Sequence, residues 1–179
     1  YFMFAVAGAL GINAIYGFFQ AIGKDPFKWS NPYSPVIGTL GNPNFSAAFL
    51  GMGVAFTLPF IISKSTNFKY RILSGVYIVL AIYDIINSDA QQGLIVSALS
   101  VGLVGFFWLR SKVKNPVIKY GYLALGGIAT LIGILGTLQK GPLSSLLYKP
   151  SVTYRGDYWH AGLVMIKNRP WFGVGLDSY

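Results

Sequence analysis

The sequence predicts an all-α protein, a polytopic bundle of membrane-spanning helices followed by a short interfacial helix. The first observation is composition: 54% of the residues are hydrophobic and 11% are charged, whereas typical soluble domains have roughly 25% charged residues. The second is five apolar runs, each close to the ~20 residues that cross a bilayer as a helix. The third is that these runs do not alternate apolar and polar residues, which excludes a transmembrane β-barrel. Because every backbone polar group in lipid must be paired internally, the runs are predicted to be helices.

In chain order, the predicted transmembrane helices cover residues 4–22, 44–63, 72–88, 93–110 and 120–138. The first run lacks the basic leading segment and the small-residue cleavage site of a secretory signal peptide. Residues 139–179 are the longest non-membrane region. The chain begins inside an apolar run and stops after a glycine-rich turn. We therefore expect residues 1–179 to be a single membrane domain and an internal piece of a longer protein.

The distribution of charge predicts the orientation of the helices. Half of the 14 basic residues lie in two short loops without acidic residues, and they are Lys64, Lys69, Arg71, Arg110, Lys112, Lys114 and Lys119. By the positive-inside rule these loops face the cytoplasm, so residues 23–43 and 139–179 are expected to be extracytoplasmic in a multi-pass protein of the cytoplasmic (inner) membrane. The net charge of +9 is thus explained by membrane topology and does not indicate a nucleic-acid partner.

The first outer loop, residues 23–43, leads into the second helix through the sequence GTLGNPNF at residues 38–45. Pro43 restricts Asn42 to extended geometry, and Asn44 is the predicted N-cap of the helix. Two interpretations stay open for Asn42 and Asn44. Their side chains form only the turn and the cap, or their amides line a substrate groove.

A polar turn joins the third and fourth helices. Asp84 lies about one helical turn, roughly 6 Å, inside the predicted outer end of the third helix, where an ionisable group is usually paired or functional. Contact with water at that shallow depth is the alternative. Gln91 and Gln92 begin the fourth helix and can donate amide hydrogen bonds into an outward-facing cavity. Helix capping or solvent exposure explains these two glutamines equally well.

A short amphipathic helix is predicted in the tail, starting at Ser151 or Thr153, ending at Asn168 and resting at the membrane interface. Arg155 is expected at the start of this helix, where free N–H groups and the helix dipole favour an anion. Its guanidinium could hold a diphosphate through two hydrogen bonds. A headgroup anchor or an ion pair with Asp157 is the alternative for this arginine.

His160 is the chain's only histidine and hence the first candidate for a general base. Because no acidic partner stands at a suitable spacing, it is interpreted as a polar interfacial residue. One histidine, five scattered acidic residues and no cysteine do not make a metal-ligand set. The sequence therefore predicts neither a metal nor a cofactor.

Three motifs together resemble one family of membrane enzymes, and they are GTLGNPNF at residues 38–45, Arg155 followed by Trp159, and MIKNRPWFGVG at residues 165–175. In order, spacing and membrane context they resemble the O-antigen ligase and polymerase family. The resemblance covers most of the chain and implies a multi-helix bundle of glycosyltransferase type C architecture with an outer-face active site. It also implies metal-independent, inverting transfer of a glycan from a polyprenyl diphosphate, such as undecaprenyl diphosphate, during polysaccharide biosynthesis for the cell envelope. The acceptor would be lipid A core, a growing polysaccharide or a protein.

The resemblance also implies residue roles. Arg155 matches the arginine proposed in the family to bind the donor diphosphate and to stabilise it as it leaves, and Trp159 is a further candidate for substrate binding. Where many members have a Ser-Arg pair, this chain has Gln91 and Gln92. The diphosphate would then depend more on Arg155, or on the additional cations Lys140, Lys149, Lys167 and Arg169.

The family's catalytic histidine follows the Gly-Val-Gly turn and would lie beyond Tyr179, and His160 does not match it. The catalytic base is therefore expected outside residues 1–179, and this fragment alone is expected to be inactive.

Two functions of other classes stay open. A transporter or flippase fragment for an envelope lipid or small solute would line a path with Asp84 and the two glutamines, and it predicts broken helices with paired polar residues near mid-membrane. A non-catalytic anchor for anionic lipid is the third possibility. Asn13 is the clearest mid-helix polar residue, and the other polar groups collect at the outer helix ends. This placement favours a surface site. The glycan, the acceptor and the choice between ligase, polymerase and protein glycosylation are not specified by the sequence.

Overall fold

The computed structural model describes residues 1–29, 34–141, 143–144 and 150–175, excluding the side chains of residues 150–153 and 155. The described residues contain six helices: α1 (Phe2–Ala21), α2 (Pro43–Ile62), α3 (Phe68–Asn87), α4 (Gln91–Lys112), α5 (Pro116–Thr137) and α6 (Pro150–Asn168). No strand occurs in the described ranges. Helices α1 to α5 are long and apolar enough to cross a membrane. The predicted fold class, an all-α polytopic membrane bundle, is therefore confirmed.

The start of α2 differs from the prediction. The N-cap is Asn42, not Asn44, and the Asn42 Oδ1 accepts hydrogen bonds from the backbone N–H groups of Asn44 at 2.9 Å and Phe45 at 3.4 Å. The physical reason is Pro43, whose fixed φ and missing N–H suit the first position of a helix. Asn42 itself is extended, with φ −145° and ψ 126°, as expected for a residue before proline.

The described residues divide into two compact units, Tyr1–Tyr122 and Leu123–Tyr179, with the boundary inside α5. In the first unit α2 is central and packs against α1, α3 and α4. We call the end of this unit that carries the first loop and the starts of α2 and α4 the loop end. The opposite end, which carries residues 63–67 and the end of α4, is called the basic end.

Helices α2 and α4 approach closely through small residues. A Cβ added to Gly51 would lie 2.8 Å from the Gly93 carbonyl oxygen, and one added to Gly93 would lie 2.7 Å from the Ala47 Cβ. The Ser100 hydroxyl also donates a hydrogen bond to the Gly51 carbonyl oxygen at 3.0 Å. Close backbone approach and hydroxyl hydrogen bonds are what hold helices together in lipid, where apolar surface alone supplies little drive. The starts of α2 and α4 consequently lie side by side.

Helices α1 and α3 meet at Gly17 and Asp84. A Cβ added to Gly17 would lie 2.5 Å from the Asp84 Oδ2. Asp84 is 0% exposed, and its two carboxyl oxygens have no hydrogen-bond partner among the described residues. The expectation that shallow depth lets Asp84 contact water is therefore not met, because α1 covers the side chain.

Two buried side chains of α1 accept hydrogen bonds from the loop between α1 and α2. Gln20 Oε1 accepts hydrogen bonds from the backbone N–H groups of Ile37 at 3.0 Å and Gly38 at 2.8 Å. Asn13 Oδ1 accepts from the Thr39 backbone N–H and from the Thr39 hydroxyl, both at 2.8 Å. Gly38 has φ +57°, a left-handed conformation that glycine adopts without steric cost. These contacts fix the GTLGNPNF segment above α1.

The same loop carries a hydrogen-bonded carboxylate at its first turn. Partial desolvation raises the pKa of Asp25, but hydrogen bonds outweigh it and hold the pKa below its usual value; the donors are the Phe27 backbone N–H and the side chains of Gln20, Tyr16 and Trp29. A lowered pKa means that this carboxylate stabilises the loop at neutral pH, and that the contribution is lost only as the pH falls through the lowered value.

We predict that Gly17→Ala lowers the free energy of unfolding, because the added methyl group would clash with the carboxyl group of Asp84. The added methyl has no room, and overpacking of this kind costs about 1–3 kcal/mol. Thermal unfolding in detergent would measure it. Gly8→Ala is the matched control, because a Cβ at Gly8 meets nothing within 4 Å.

The same substitution should have little effect in an Asp84→Ala background, because the clashing group is then absent. An equal loss of stability in both backgrounds would contradict the proposed contact.

We predict that Gln20→Leu loosens the first loop. It leaves two buried backbone N–H groups unpaired, at about 1–3 kcal/mol for each. Trypsin cleavage at Lys24 and Lys28 should accelerate, and the unfolding midpoint should fall. Tyr16→Phe is the comparison, since it removes a contact to Asp25 at 3.0 Å but leaves both amides paired. Equal effects of the two variants would disprove the anchoring role of Gln20.

Candidate functional site

The loop end of the first unit brings together two of the polar sequence features. Ala47 of α2 and Gly93 of α4 are in contact within the first turns of both helices, so Asn42 and the start of α4 belong to one surface. Both helices begin there, and a helix N-terminus carries a partial positive charge. The dipoles of both helices therefore favour negative charge at this surface, although the Asn44 and Phe45 N–H groups of α2 are already bound by Asn42.

One of the two asparagines of this surface makes a structural hydrogen bond. The Asn42 Oδ1 caps α2, which matches the interpretation as a turn and cap residue. Asn42 and Asn44 are nevertheless half-buried and border the loop end. Their role in substrate binding, which the sequence suggested as the alternative, stays a prediction.

Gln91 and Gln92 are the first two residues of α4, and both are half-buried. The preceding residue, Ala90, makes no side-chain cap. The two glutamines thus lie beside the helix N-terminus on the same surface as Asn42. Their amide groups can donate hydrogen bonds to an anion without introducing a buried charge.

Asp84 is not part of the loop-end surface, although it lies only one turn below it. Its side chain faces Gly17 inside the unit. The buried polar side chains that shape this end are Asn13 and Gln20, with Ser46, whose hydroxyl donates to the Ile37 carbonyl oxygen at 2.7 Å. Sequence reasoning noted Asn13 only as a polar residue and missed Gln20. Asn13, Gly17 and Gln20 recur at helical spacing on one face of α1. This face of small and polar residues was the sequence signal that α1 makes buried polar contacts.

In the second unit, Arg155 lies further into the helix than the sequence suggested. Helix α6 begins at Pro150, again because proline suits the first helical position, so Arg155 follows more than one turn later. The expectation that Arg155 stands among the free N–H groups of the helix start is therefore wrong. Its side chain lies outside the described residues, and its role as a diphosphate ligand stays a prediction.

Helix α6 exposes an apolar stripe at helical spacing. Trp159, Leu163 and Ile166 are 72%, 65% and 64% exposed. Arg169 follows the helix and is exposed too. His160 is exposed on another face of α6, consistent with a polar surface residue. No group of three or more His, Asp or Glu side chains that could hold a metal ion occurs among the described residues.

Comparison with known proteins supplies the family. A protein of Haemophilus influenzae described as "Uncharacterized protein" is 29% identical over 147 residues, covering 76% of this chain and 36% of that protein. The chain thus spans about a third of the length of that relative. No solved structure matches the chain. A family model described as O-Antigen ligase matches residues 76–179, from the middle of α3 onward and over more than half of the chain. The family predicted from the motifs is therefore confirmed over residues 76–179, and the chain belongs to the O-antigen ligase family.

Proposed function

We propose that the whole protein transfers a glycan from a polyprenyl diphosphate carrier to an acceptor at the outer face of the cytoplasmic membrane. The observation that carries this proposal is the O-antigen ligase match over residues 76–179. The five membrane-length helices support it, because a lipid-linked donor is held in the same bilayer. The activity is assigned to the full-length protein. This chain spans only about a third of the length of the relative from Haemophilus influenzae.

The orientation follows from charge. Residues 63–71 and 110–119 are basic and contain no acidic residue, and such loops remain in the cytoplasm. By the same rule the loop end, opposite the basic end of the first unit, is proposed to be extracytoplasmic, and so are residues 139–179. An exposed stripe on α6 with Lys167 beside it is suited to the membrane interface.

The cationic contact of the donor is proposed to be Arg155 of the second unit. Arg155 binds the diphosphate through paired, charge-assisted hydrogen bonds, which are stronger than neutral ones. As the glycosidic bond breaks, negative charge accumulates on the departing diphosphate. A fixed guanidinium accelerates this step to the extent that its contact strengthens as that charge develops. Trp159 and Arg169 are proposed as further contacts of the donor.

The loop-end surface would contribute hydrogen bonds. Gln91 and Gln92 stand where related proteins are expected to have a cation, so they donate amide hydrogens but no charge. The positive ends of α2 and α4 partly replace that charge. Asn42 and Asn44 border the same surface and are proposed to complete its polar lining.

The acceptor hydroxyl needs a base, and residues 1–179 are not proposed to supply it. His160 is exposed and does not follow the Gly-Val-Gly turn. We propose that the base is a histidine elsewhere in the full-length protein. The transporter alternative has less support, because the buried side-chain oxygens of Asn13 and Gln20 already accept hydrogen bonds from the first loop.

We predict that Arg155→Ala lowers glycan transfer by about 10²–10³-fold, the effect typical of removing one transition-state donor. Arg155→Lys should give an intermediate rate, because an ammonium keeps the charge and loses the paired geometry. The assay uses the full-length protein in proteoliposomes with a polyprenyl diphosphate-linked glycan.

The matched control for that series is Arg110→Ala, an exposed arginine at the basic end, which should transfer at the wild-type rate. Wild-type transfer by Arg155→Ala would keep the family and discard this site. No transfer by the wild type with any carrier-linked glycan would refute the proposed reaction.

We also predict that Gln91→Glu and Gln92→Glu each raise the donor KM by about tenfold, because a carboxylate next to the diphosphate is repulsive. Asn115→Asp is the control. It adds the same charge at the basic end and keeps the acceptor that caps α5 through the Val117 N–H at 2.9 Å. A KM unchanged by both glutamine variants would remove the loop-end surface from the donor site.

A further inference from the structure

A cavity of about 980 Å³ lies at the basic end of the first unit, between the last turns of α2 and α4. Its walls are of two kinds. The polar part consists of Ser63, Lys64, Ser65 and Lys112, and the apolar part of Pro59, Ile62, Val104, Phe107 and Trp108. Among the residues that the structure describes, no acidic side chain lines this cavity. Its size is in the range of small-ligand sites, roughly 300–1,000 Å³.

The polar wall is an ordered structure and not a loose loop. The Arg71 guanidinium donates a hydrogen bond to the Ser63 carbonyl oxygen, which ties the start of α3 to the end of α2. The Ser63 and Ser65 hydroxyl oxygens are 2.9 Å apart, within hydrogen-bond distance. The two hydroxyls are therefore held at the wall of the cavity that Lys64 and Lys112 also line. A group accepted there must bear negative charge and hydrogen-bond acceptors.

The apolar wall indicates that the same ligand is amphipathic. Phe107 and Trp108 lie about one turn before the end of α4 and are 58% and 46% exposed. A tryptophan at this depth is typical of the headgroup level of a bilayer. Below it, Val104 and Phe107 continue the wall along the membrane-spanning part of α4.

We propose that this cavity binds an anionic phospholipid of the cytoplasmic leaflet, with the lipid phosphate between Lys64 and Lys112 and an acyl chain along Val104 and Phe107. Basic pockets between transmembrane helices on the cytoplasmic side are suited to anionic lipid headgroups. The site is at the opposite end of α2 and α4 from the loop-end surface, so it is separate from the proposed donor site. Bound lipid would hold the ends of α2 and α4 together.

The test compares the full-length protein with Lys64→Gln/Lys112→Gln and with Lys114→Gln/Lys119→Gln. The second pair removes the same charge from the same end of the bundle, from residues that do not line the cavity. The probe is phosphatidylglycerol in mixed micelles or nanodiscs, against phosphatidylcholine and against free inorganic phosphate. Thermal unfolding midpoints and lipid retained in native mass spectrometry are recorded.

We expect phosphatidylglycerol, but neither phosphatidylcholine nor free phosphate, to stabilise the wild type and the Lys114/Lys119 variant. The Lys64/Lys112 variant should bind this lipid about 5-fold more weakly for each lysine removed, and Lys64→Arg/Lys112→Arg should restore binding. Equal binding by both glutamine variants would overturn the proposal in favour of general surface charge. Stabilisation by free phosphate, or none by phosphatidylglycerol, would overturn it as well.

Discussion

The close contact between α2 and α4 is the interaction on which the first unit depends. Gly51 and Gly93 let the two backbones meet, and Ser100 adds a hydrogen bond across the contact. In lipid this contact is stabilised by close van der Waals packing and hydrogen bonds, because burial of apolar surface contributes little to helix association there. Its geometry sets both ends of the unit. The helix starts form the polar loop-end surface, and the helix ends form the cavity with Lys64 and Lys112.

The loop end illustrates how a membrane protein can hold an irregular segment. Backbone N–H groups at the bilayer edge need partners, and an unpaired buried one is costly. Here Gln20 and Asn13 rise from α1 to accept hydrogen bonds from residues 37–39. Because the acceptors belong to a membrane helix, residues 37–39 are fixed to that helix. A preorganised surface of this kind suits a reaction in which charge shifts within a bound diphosphate.

Charge distinguishes the two ends of the first unit. Lysines and arginines gather at the basic end, where they are proposed to orient the chain in the membrane and to bind anionic lipid. At the loop end the first unit offers mostly neutral amides and helix N-termini. This division explains why the net charge of +9 by itself says little about the donor site.

The sequence by itself determined the all-α class and the family. It also determined five helices of membrane-spanning length, which begin and end within four residues of their predicted limits, and the helix that ends at Asn168. These features depend on local properties: the length of apolar runs, proline and glycine at helix ends, and short motifs in order. The Asn42 cap of α2 and the start of α6 at Pro150 are also local, since proline suits the first helical position, although both starts were predicted differently. The sequence did not determine that Asp84 is covered by α1 or that Gln20 holds the first loop. Those two features were decided by tertiary structure, because the helix that packs beside a polar group determines its partner. The hydropathy of a sequence does not show which helices pack together in lipid.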